Sequence, residues 1–272
     1  MHFVDTHTHI DMLKRLTPRE AVAKSVNEDV KYIINVGTSL DSSKKSIELA
    51  RKFSNVFASV GIHPHYVKGF GKKEIKILRS LIQGHSGTVN DVNKNVSRRY
   101  KKVVAVGETG FDFYRNPTPG LDMERAFASH IELAIEYDIP VIIHDRDAHS
   151  QTLEVVKRYI DQKNFRAVVH CFSGDANFAM QCLDLGLYIS FTGVITFPNA
   201  GGVLKAVEKV PIERLFIETD APFLAPQAKR GKENYSGYVR YIAEKIAEIK
   251  NLSVKEVADI TSKNAERFFS IN

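Results

Sequence analysis

Residues 121–144 read LDMERAFASHIELAIEYDIPVIIH and contain the repeating unit on which the fold prediction rests. Four apolar residues recur at every fourth position and so share one face of a helix: Met123, Phe127, Ile131 and Ile135. The continuous apolar run at 140–143 follows, and such a run is typical of a strand buried on both faces. His144 ends the run. The unit is therefore an amphipathic helix, a buried strand and a polar side chain at the carboxyl end of the strand.

The same unit recurs along most of the chain. Strands are expected at residues 3–5, 32–36, 56–61, 103–107, 140–143, 167–169, 187–191 and 215–218. Capping boxes at 17–20 and 253–256 predict two helix starts. Eight strands alternating with helices predict an α/β fold, a single-domain TIM-type (β/α)8 barrel over residues 1–272. A doubly wound open sheet is the structural alternative.

The composition is that of a globular protein. With 43% hydrophobic and 26% charged residues, the chain is excluded from the disordered and fibrous classes. Cys171 and Cys182 are too few for a disulfide framework. The sequence contains neither a run of about 20 apolar residues nor a signal-peptide pattern. We therefore expect a cytoplasmic protein without membrane contact.

Residues 84–102, GHSGTVNDVNKNVSRRYKK, interrupt the repeating pattern. The segment is polar and lacks a hydrophobic period. Its net charge of +4 is most of the chain's excess of +6. We interpret it as a basic, solvent-exposed surface insertion in the barrel domain. The alternative is an auxiliary contact to a phosphate backbone, because clustered cations raise affinity for polyanions.

Imidazoles and carboxylates stand at the carboxyl ends of the predicted strands: His7, His9, His63, His65, Glu108, His144, His170 and Asp220. In a barrel these ends meet on one face, where active sites lie. Such side chains are ligands for Zn²⁺, Mg²⁺ or Mn²⁺. His7 and His9, two apart in an extended segment, can bind one ion together. Glu108, which follows a glycine, can bridge two ions, so the sequence predicts a two-metal hydrolytic site.

Catalytic and substrate roles follow from this arrangement. Two divalent ions would generate the hydroxide that attacks phosphorus, with Asp220 as the proton acceptor and Glu108 between the ions. His65 is the candidate to contact the scissile phosphate or to protonate the leaving oxygen, and an orienting role is its alternative. Arg115 and Arg146 are candidates to bind phosphates, although either could instead pair with a neighbouring aspartate.

Six motifs occur in the order found in a known family, and together they span nearly the whole chain: VDTHTHID (4–11), GIHPH (61–65), GETGFDFYR (107–115), HDRDAH (144–149), HCFSG (170–174) and ETDAPFLAP (218–226). The sequence resembles the TatD-type metal-dependent deoxyribonucleases of the amidohydrolase superfamily. The resemblance implies a TIM barrel, a two-metal site and hydrolysis of DNA, often as an exonuclease on single strands. It further implies these metal ligands: His7, His9, Glu108, His144, His170 and Asp220. By the same resemblance, His63 and His65 lie on the substrate side.

One segment departs from the family pattern. Residues 230–236 read RGKENYS, where the family usually reads close to RGKRNEP. Asn234 is retained and is predicted to bind substrate, but Glu233 stands where the family has a cation. The substrate prediction is single-stranded DNA, and the protein is expected to be a monomer, with an oligomer as the alternative. Because a cation is lost at Glu233, another ester or amide, such as a lactone or an aminoacyl-tRNA ester, is the alternative substrate. A third hypothesis, a nucleic-acid-binding protein with vestigial metals, conflicts with six competent ligand positions.

Overall fold

Eight parallel strands, each hydrogen-bonded to the next, form the centre of the protein. A computed structural model describes residues 1–84, 86–91, 96–114, 118 and 120–271, with the backbone alone at 86–91 and 96–101. Its strands are β1 (Phe3–Thr8), β2 (Val30–Val36), β3 (Val56–Val60), β4 (Ser86–Asp91), β5 (Val96–Lys101), β6 (Val103–Asp112), β7 (Val141–Arg146), β8 (Ala167–Val169), β9 (Tyr188–Phe191) and β10 (Leu215–Ile217).

The sheet runs in the order β1-β2-β3-β6-β7-β8-β9-β10, and all of its strand pairs are parallel. The segment after β10 returns to β1. Thr8 pairs with Ala221, and the Asp220 N–H donates to the His7 carbonyl oxygen at 2.9 Å. This closure confirms the predicted TIM-type barrel and excludes the doubly wound open sheet.

Helices alternate with the strands and cover the outside of the barrel. They are α1 (Pro18–Asn27), α2 (Leu40–Lys52), α3 (Lys72–Gln83), α4 (Gly120–Tyr137), α5 (His149–Lys157), α6 (Ala176–Asp184), α7 (Gly201–Lys209), α8 (Val239–Lys250) and α9 (Val254–Phe269). Both predicted capping boxes are present, at Thr17 and at Ser253. Among the described residues, no helix is both long and apolar enough to cross a bilayer.

The core is divided between two layers. The larger cluster joins strand residues such as Phe3 and Ile33 to the inward faces of the helices, including Phe127 of α4. The smaller cluster combines residues of six strands, β1, β2, β6, β7, β8 and β10, with Phe268 and Phe269 at the end of α9. The helix that ends the fold therefore packs on the barrel strands themselves, which leaves the carboxyl ends of the strands free for a site.

Three strands extend further at their carboxyl ends than the sequence predicts, and each of these extensions carries site residues. β6 continues from the expected 103–107 to Asp112 because its backbone pairs with β7 as far as Arg146. A register shift between Val106 and Thr109 interrupts this pairing at Gly107 and Glu108. Bulges of this kind redirect side chains beside active sites. Gly107 has φ +132°, and a Cβ there would lie 2.5 Å from the Ile142 carbonyl oxygen, so the close approach requires glycine.

The segment 84–102 is more regular than its sequence suggests. Strands β4 and β5 pair antiparallel from Ser86 opposite Lys101 to Asp91 opposite Val96. The expectation of an exposed cation at Lys102 is wrong. Its side chain is buried, and Nζ donates to the carbonyl oxygens of Phe53, Ser54 and Val56 at 2.8–3.0 Å. A lysine at the start of a buried strand reaches the carbonyls that begin the neighbouring strand, a contact that charge counting cannot reveal.

Candidate metal centre

The predicted metal ligands converge at the carboxyl ends of the strands. His7 lies in β1, Glu108 in β6 and His144 in β7. His9 and His170 immediately follow strands, and Asp220 is the third residue after β10. Five of these six side chains line an open cavity of about 590 Å³, and His7 lies buried beneath them. The cavity also contains His63, His65 and Arg146 from the predicted substrate side. Residues separated by more than 200 positions in the sequence therefore form one polar cluster.

His7 and His9 present facing nitrogens. Their Nε2 atoms are 3.3 Å apart, and the His9 Nε2 lies 3.4 Å from Asp220 Oδ1. The other nitrogen of His9, Nδ1, bonds to the Val36 carbonyl oxygen at 2.9 Å. A carbonyl only accepts, so Nδ1 carries a proton, and Nε2 is the nitrogen whose lone pair a cation in the cluster can use. A backbone contact that fixes the tautomer in this way is common behind metal-binding histidines.

Glu108 lies at the centre of the cluster. Its Oε2 is 2.8 Å from His170 Nε2 and 3.6 Å from both His7 Nε2 and His144 Nδ1. Its Oε1 faces His9 at 3.9 Å. Burial alone would raise the pKa of Glu108, but the surrounding imidazoles outweigh burial and hold that pKa well below its ordinary value. The carboxylate therefore stays ionised between the histidines of both sides.

The carboxylates of the cluster raise the pKa of two neighbouring histidines. Burial lowers the pKa of His9, but Asp220 and Glu108 outweigh it and raise the value to about 9. At His170, Glu108 and Glu218 likewise overcome burial and raise the pKa to about 10. A divalent cation competes with a proton for the same nitrogen lone pair, so a field that favours the proton also favours the cation.

The donor set fits divalent metal ions. Four groups have ligand atoms within 4.8 Å of one another, and three of them consist of predicted ligands alone: His7, His9 and Glu108; His7, His170 and Asp220; and Glu108, His144 and His170. The fourth is His63, Asp112 and His144. The Nδ1 atoms of His7 and His170 are buried without a hydrogen bond among the described residues, and His170 Nδ1 lies 3.6 Å from Glu218 Oε1. The nitrogens that face the cluster, Nε2 of both rings, contact only other predicted ligands, so the converging donors fit an external cation. Mixed nitrogen and oxygen donors match Zn²⁺ and Mn²⁺ in particular.

Asp112 is a site residue that the sequence reasoning used only as a possible partner for arginine. Its Oδ2 lies 3.0 Å from His65 Nε2 and 3.1 Å from His144 Nε2, so one carboxylate contacts a predicted substrate histidine and a predicted metal ligand. Asp112 stands four residues after Glu108 in one strand, and alternate residues of a strand share a face. The spacing of four residues is therefore the sequence feature that could have identified Asp112 as a site residue. Glu218, two residues before Asp220, likewise accepts from the Cys171 N–H at 2.6 Å.

The predicted substrate residues have different positions. His63 and His65 line the cavity, and burial together with neighbouring histidines lowers the pKa of His63 to about 3 against the opposing charge of Glu108. Arg146 is exposed at the cavity with its guanidinium 3.9 Å from the centre of the Tyr114 ring. Arg115 lies outside the described residues.

Asn234 does not reach the cavity. Its side chain is fully buried and donates to the carbonyl oxygens of Thr219 and Phe223, on either side of Asp220. This geometry corrects the substrate contact that the sequence predicted, because the amide is used within the chain to hold the loop. Glu233 has a comparable role. Its carboxylate accepts from the backbone N–H groups of Lys14, Arg15 and Leu16.

The sequence is similar to a known protein family and to several of its members. The family model described as TatD related DNase matches residues 4–270. The chain belongs to this family. It is 36% identical to the uncharacterized metal-dependent hydrolase YcfH of Escherichia coli (strain K12), with 100% of this chain and 97% of the relative covered. It is 30% identical to the 3'-5' ssDNA/RNA exonuclease TatD of Salmonella typhimurium, with 93% and 92% covered.

A solved structure agrees with the assignment. The TatD homologue YJJV of Escherichia coli superposes with a TM-score of 0.86 at 25% identity, covering 99% of this chain and 98% of the other. The protein is therefore a metal-dependent hydrolase of the TatD family with an amidohydrolase-like barrel. The resemblance drawn from the six sequence motifs is confirmed.

Proposed function

We propose that this TatD family protein is a metal-dependent nuclease that hydrolyses phosphodiester bonds of single-stranded DNA from an end, with two divalent ions held by His7, His9, Glu108, His144, His170 and Asp220. The observation that carries the proposal is the sharing of Glu108 between two of the three donor groups that consist of predicted ligands alone. A carboxylate common to both sides of a cluster is the arrangement expected where two ions lie close together. The relative named as an ssDNA/RNA exonuclease supports the substrate class.

When bound, such ions lower the pKa of water and neutralise charge that develops on phosphoryl oxygens. The chain's own residues would supply the remaining chemistry. Asp220 reaches the cavity with its side chain 14% exposed and would accept the proton of the attacking water. His65, with its side chain 43% exposed, would contact the scissile phosphate or protonate the leaving oxygen. Asp112 would orient that imidazole from 3.0 Å.

The mouth of the cavity suits a single strand rather than a compact ester. Arg146 projects a cation at this mouth, and a guanidinium binds phosphate in bidentate fashion. Four aromatic side chains near the site are exposed: Tyr66, Phe113, Tyr114 and Phe223. Single-strand binders combine cations that follow the backbone with rings on which unpaired bases stack. The rim therefore favours an unpaired polynucleotide.

The test is digestion of one oligonucleotide labelled in turn at each end. Protein stripped with a chelator is assayed alone and with Mg²⁺, Mn²⁺ or Zn²⁺ restored, beside an Asp220→Asn variant. We expect a ladder from one end that requires metal and disappears in the variant. Asp41→Asn, at an exposed helix residue with its side chain 88% exposed, is the matched control and should keep the ladder.

An intact oligonucleotide with the metal-loaded wild type would overturn the proposal for DNA. A panel of small esters, lactones and aminoacyl-tRNA in the same assay would then identify whether the centre acts on another ester. Metal-independent digestion would contradict both hydrolytic readings, because each of them requires the ions.

A further inference from the structure

A second cavity, of about 380 Å³, lies beside the catalytic one, between α5 and α6. Its walls are mainly polar side chains: His149, Ser150, Ser173, Asp175, Asn177 and Gln181. Ser173 also lines the catalytic cavity. The two cavities are therefore neighbours that share one lining residue.

A column of three stacked rings ends in this second cavity. Phe172 and Phe178 stack with their centroids 5.4 Å apart and their planes within 14°. His149 stacks on Phe178 at 4.0 Å and 16°. Both phenylalanines are buried, whereas the side chain of His149 is 38% exposed. The column thus rises from the core and presents a flat aromatic ring where a fourth ring could be added.

The orientation of His149 is fixed from below. Its Nδ1 lies 2.5 Å from Oδ1 of Asp145, which is buried and also lines the catalytic cavity. A ring held by a stacking partner and a hydrogen bond loses little conformational entropy when a ligand binds, so the platform is preorganised. A surface histidine needs neither the stacking nor the hydrogen bond to remain hydrated.

Charge decides which part of a nucleotide the cavity suits. Asp175 lines the cavity, and Asp145, Asp147 and Asp175 all act on His149, raising its pKa from the ordinary value, with the Asp145 hydrogen bond as the largest cause. These three carboxylates outnumber the one imidazole that they face, so the surroundings of the cavity disfavour a phosphate dianion or diester. A nucleobase is uncharged and offers a π face together with hydrogen-bonding edges, which the amides of Asn177 and Gln181 can meet.

We propose that this cavity is a nucleobase subsite, in which the base of the nucleotide next to the scissile phosphate stacks on His149. The inference rests on the proposed nuclease function and adds the place where that substrate's base is bound. Stacking tolerates any base because each base has a π face, so the subsite would add affinity without sequence preference.

The experiment compares otherwise identical oligonucleotides that carry an abasic residue at one or the other position flanking the terminal scissile bond. For the wild-type holoenzyme we expect kcat/KM to fall by about tenfold when the base at the relevant position is removed, mainly through KM. His149→Gln keeps a hydrogen-bond donor for Asp145 but removes the ring, so the two substrates should become nearly equal. His149→Phe keeps the ring without the donor and should retain the wild-type ratio.

His2→Gln is the matched control. His2 is also partly exposed and bonded to a carboxylate, Glu266 at 3.0 Å, but it precedes β1 at the opposite end of the barrel. This variant should keep the wild-type ratio. Equal rates on both substrates with the wild type would overturn the subsite, and so would an unchanged ratio in His149→Gln. If His149→Gln kept the wild-type ratio and His149→Phe lost it, the hydrogen-bond donor would be responsible, and the stacking would be overturned.

A binding measurement separates this inference from the nuclease proposal. The anisotropy of a fluorescent oligonucleotide is titrated with Asp220→Asn protein, with and without His149→Gln. We expect the Asp220→Asn protein to bind the base-bearing strand more tightly than the abasic strand, whether or not the wild type cleaves DNA. This preference should disappear when His149→Gln is added. Cleavage without that binding preference contradicts the subsite alone, whereas the preference without cleavage contradicts the nuclease proposal alone.

Discussion

The two ends of the barrel bury ionisable groups in contrasting ways. At the amino end, Lys102 is almost fully buried, and its amine donates to three carbonyl oxygens of the chain. At the carboxyl end, the buried His7 has one ring nitrogen with no hydrogen-bond partner among the described residues. Its other nitrogen faces His9, which is itself a potential metal ligand. One end is complete within the chain, and the other is arranged for something the chain does not supply.

The contrast shows how to recognise a functional cluster among buried polar groups. Burial alone does not distinguish the two ends, since Lys102 and Glu108 are both nearly inaccessible to solvent. The distinguishing feature is the supply of internal partners. A buried group with its full set of partners stabilises the fold, whereas converging donors without such partners are costly unless a ligand binds.

Glu108→Gln should give the largest effect and tests the carboxyl end. Removing the negative charge shared by the donor groups should lower bound metal per chain and reduce kcat/KM by about 10³-fold or more, because several kcal/mol of metal-derived stabilisation depends on it. Elemental analysis and the nuclease assay measure the two quantities. Unchanged metal content would contradict the central role of Glu108.

The matched substitution at the amino end is Glu266→Gln. Glu266 is bonded to His2 at 3.0 Å and to Lys31 at 2.9 Å. Partly exposed ion pairs contribute about 0–1 kcal/mol to stability. This variant should therefore retain metal and activity, which isolates the effect at Glu108 from that of any lost carboxylate.

Lys102→Met tests the amino end. Methionine fills a similar volume but leaves the carbonyls of Phe53, Ser54 and Val56 without the amine, so we expect the free energy of unfolding to fall by about 3 kcal/mol. Urea titration at neutral pH measures it. Activity and metal content should stay at the wild-type level. The exposed Lys45→Met should change stability by less than about 0.5 kcal/mol, and an equal loss there would show that the carbonyl contacts are unimportant.

The barrel was predictable because its signal is repeated. Each βα unit contains a helical stripe and an apolar strand, so an error in one unit leaves the others intact. The hairpin of β4 and β5 is a single polar feature without such repetition. The lengths of β1, β6 and β7 were also underestimated, because strands such as β6 continue through polar residues wherever a neighbouring strand supplies hydrogen bonds.

The ligand set was predictable because histidine and acidic residues ended successive strands. The contacts that hold the ligands and the loops around them were not predictable. Asn234 was placed at the substrate because it stood in a family motif, yet its amide bonds to two backbone carbonyls of the Asp220 loop. Asp112 was overlooked because its spacing from Glu108 was not used, and because the two histidines that contact it stand elsewhere in the sequence. Such contacts depend on which loops meet, and one sequence does not state that.

His130 sharpens the comparison because it is a buried histidine with both nitrogens satisfied. Nδ1 donates to the Ala126 carbonyl oxygen at 2.7 Å, and Nε2 accepts from the Ile62 N–H at 3.1 Å. Burial lowers its pKa to about 4. Below about pH 6.5 the unfolded chain binds a proton that the folded one does not, so stability falls as the pH falls from about 6.5 to 4.

The contribution of His130 to this loss should reach about 3 kcal/mol near pH 4 and should be absent above pH 7. His130→Gln removes the titrating group, so its unfolding free energy should depend less steeply on pH across that range. Chemical unfolding of both proteins from pH 4 to 8 measures the difference. Parallel curves would show that His130 is not held neutral by its two backbone partners.

Glu233→Gln should give the smallest effect and tests whether position at the carboxyl end is itself enough to mark a functional carboxylate. Glu233 already receives the N–H groups of Lys14, Arg15 and Leu16, so its role is complete within the chain. We expect a loss of about 1 kcal/mol in urea unfolding and no change in bound metal, because the amide oxygen can still accept some of these bonds. Release of metal by Glu233→Gln, as expected for Glu108→Gln, would mean that nearness to the cavity explains both effects. The supply of internal partners would then no longer separate the functional carboxylates of this barrel from the structural ones.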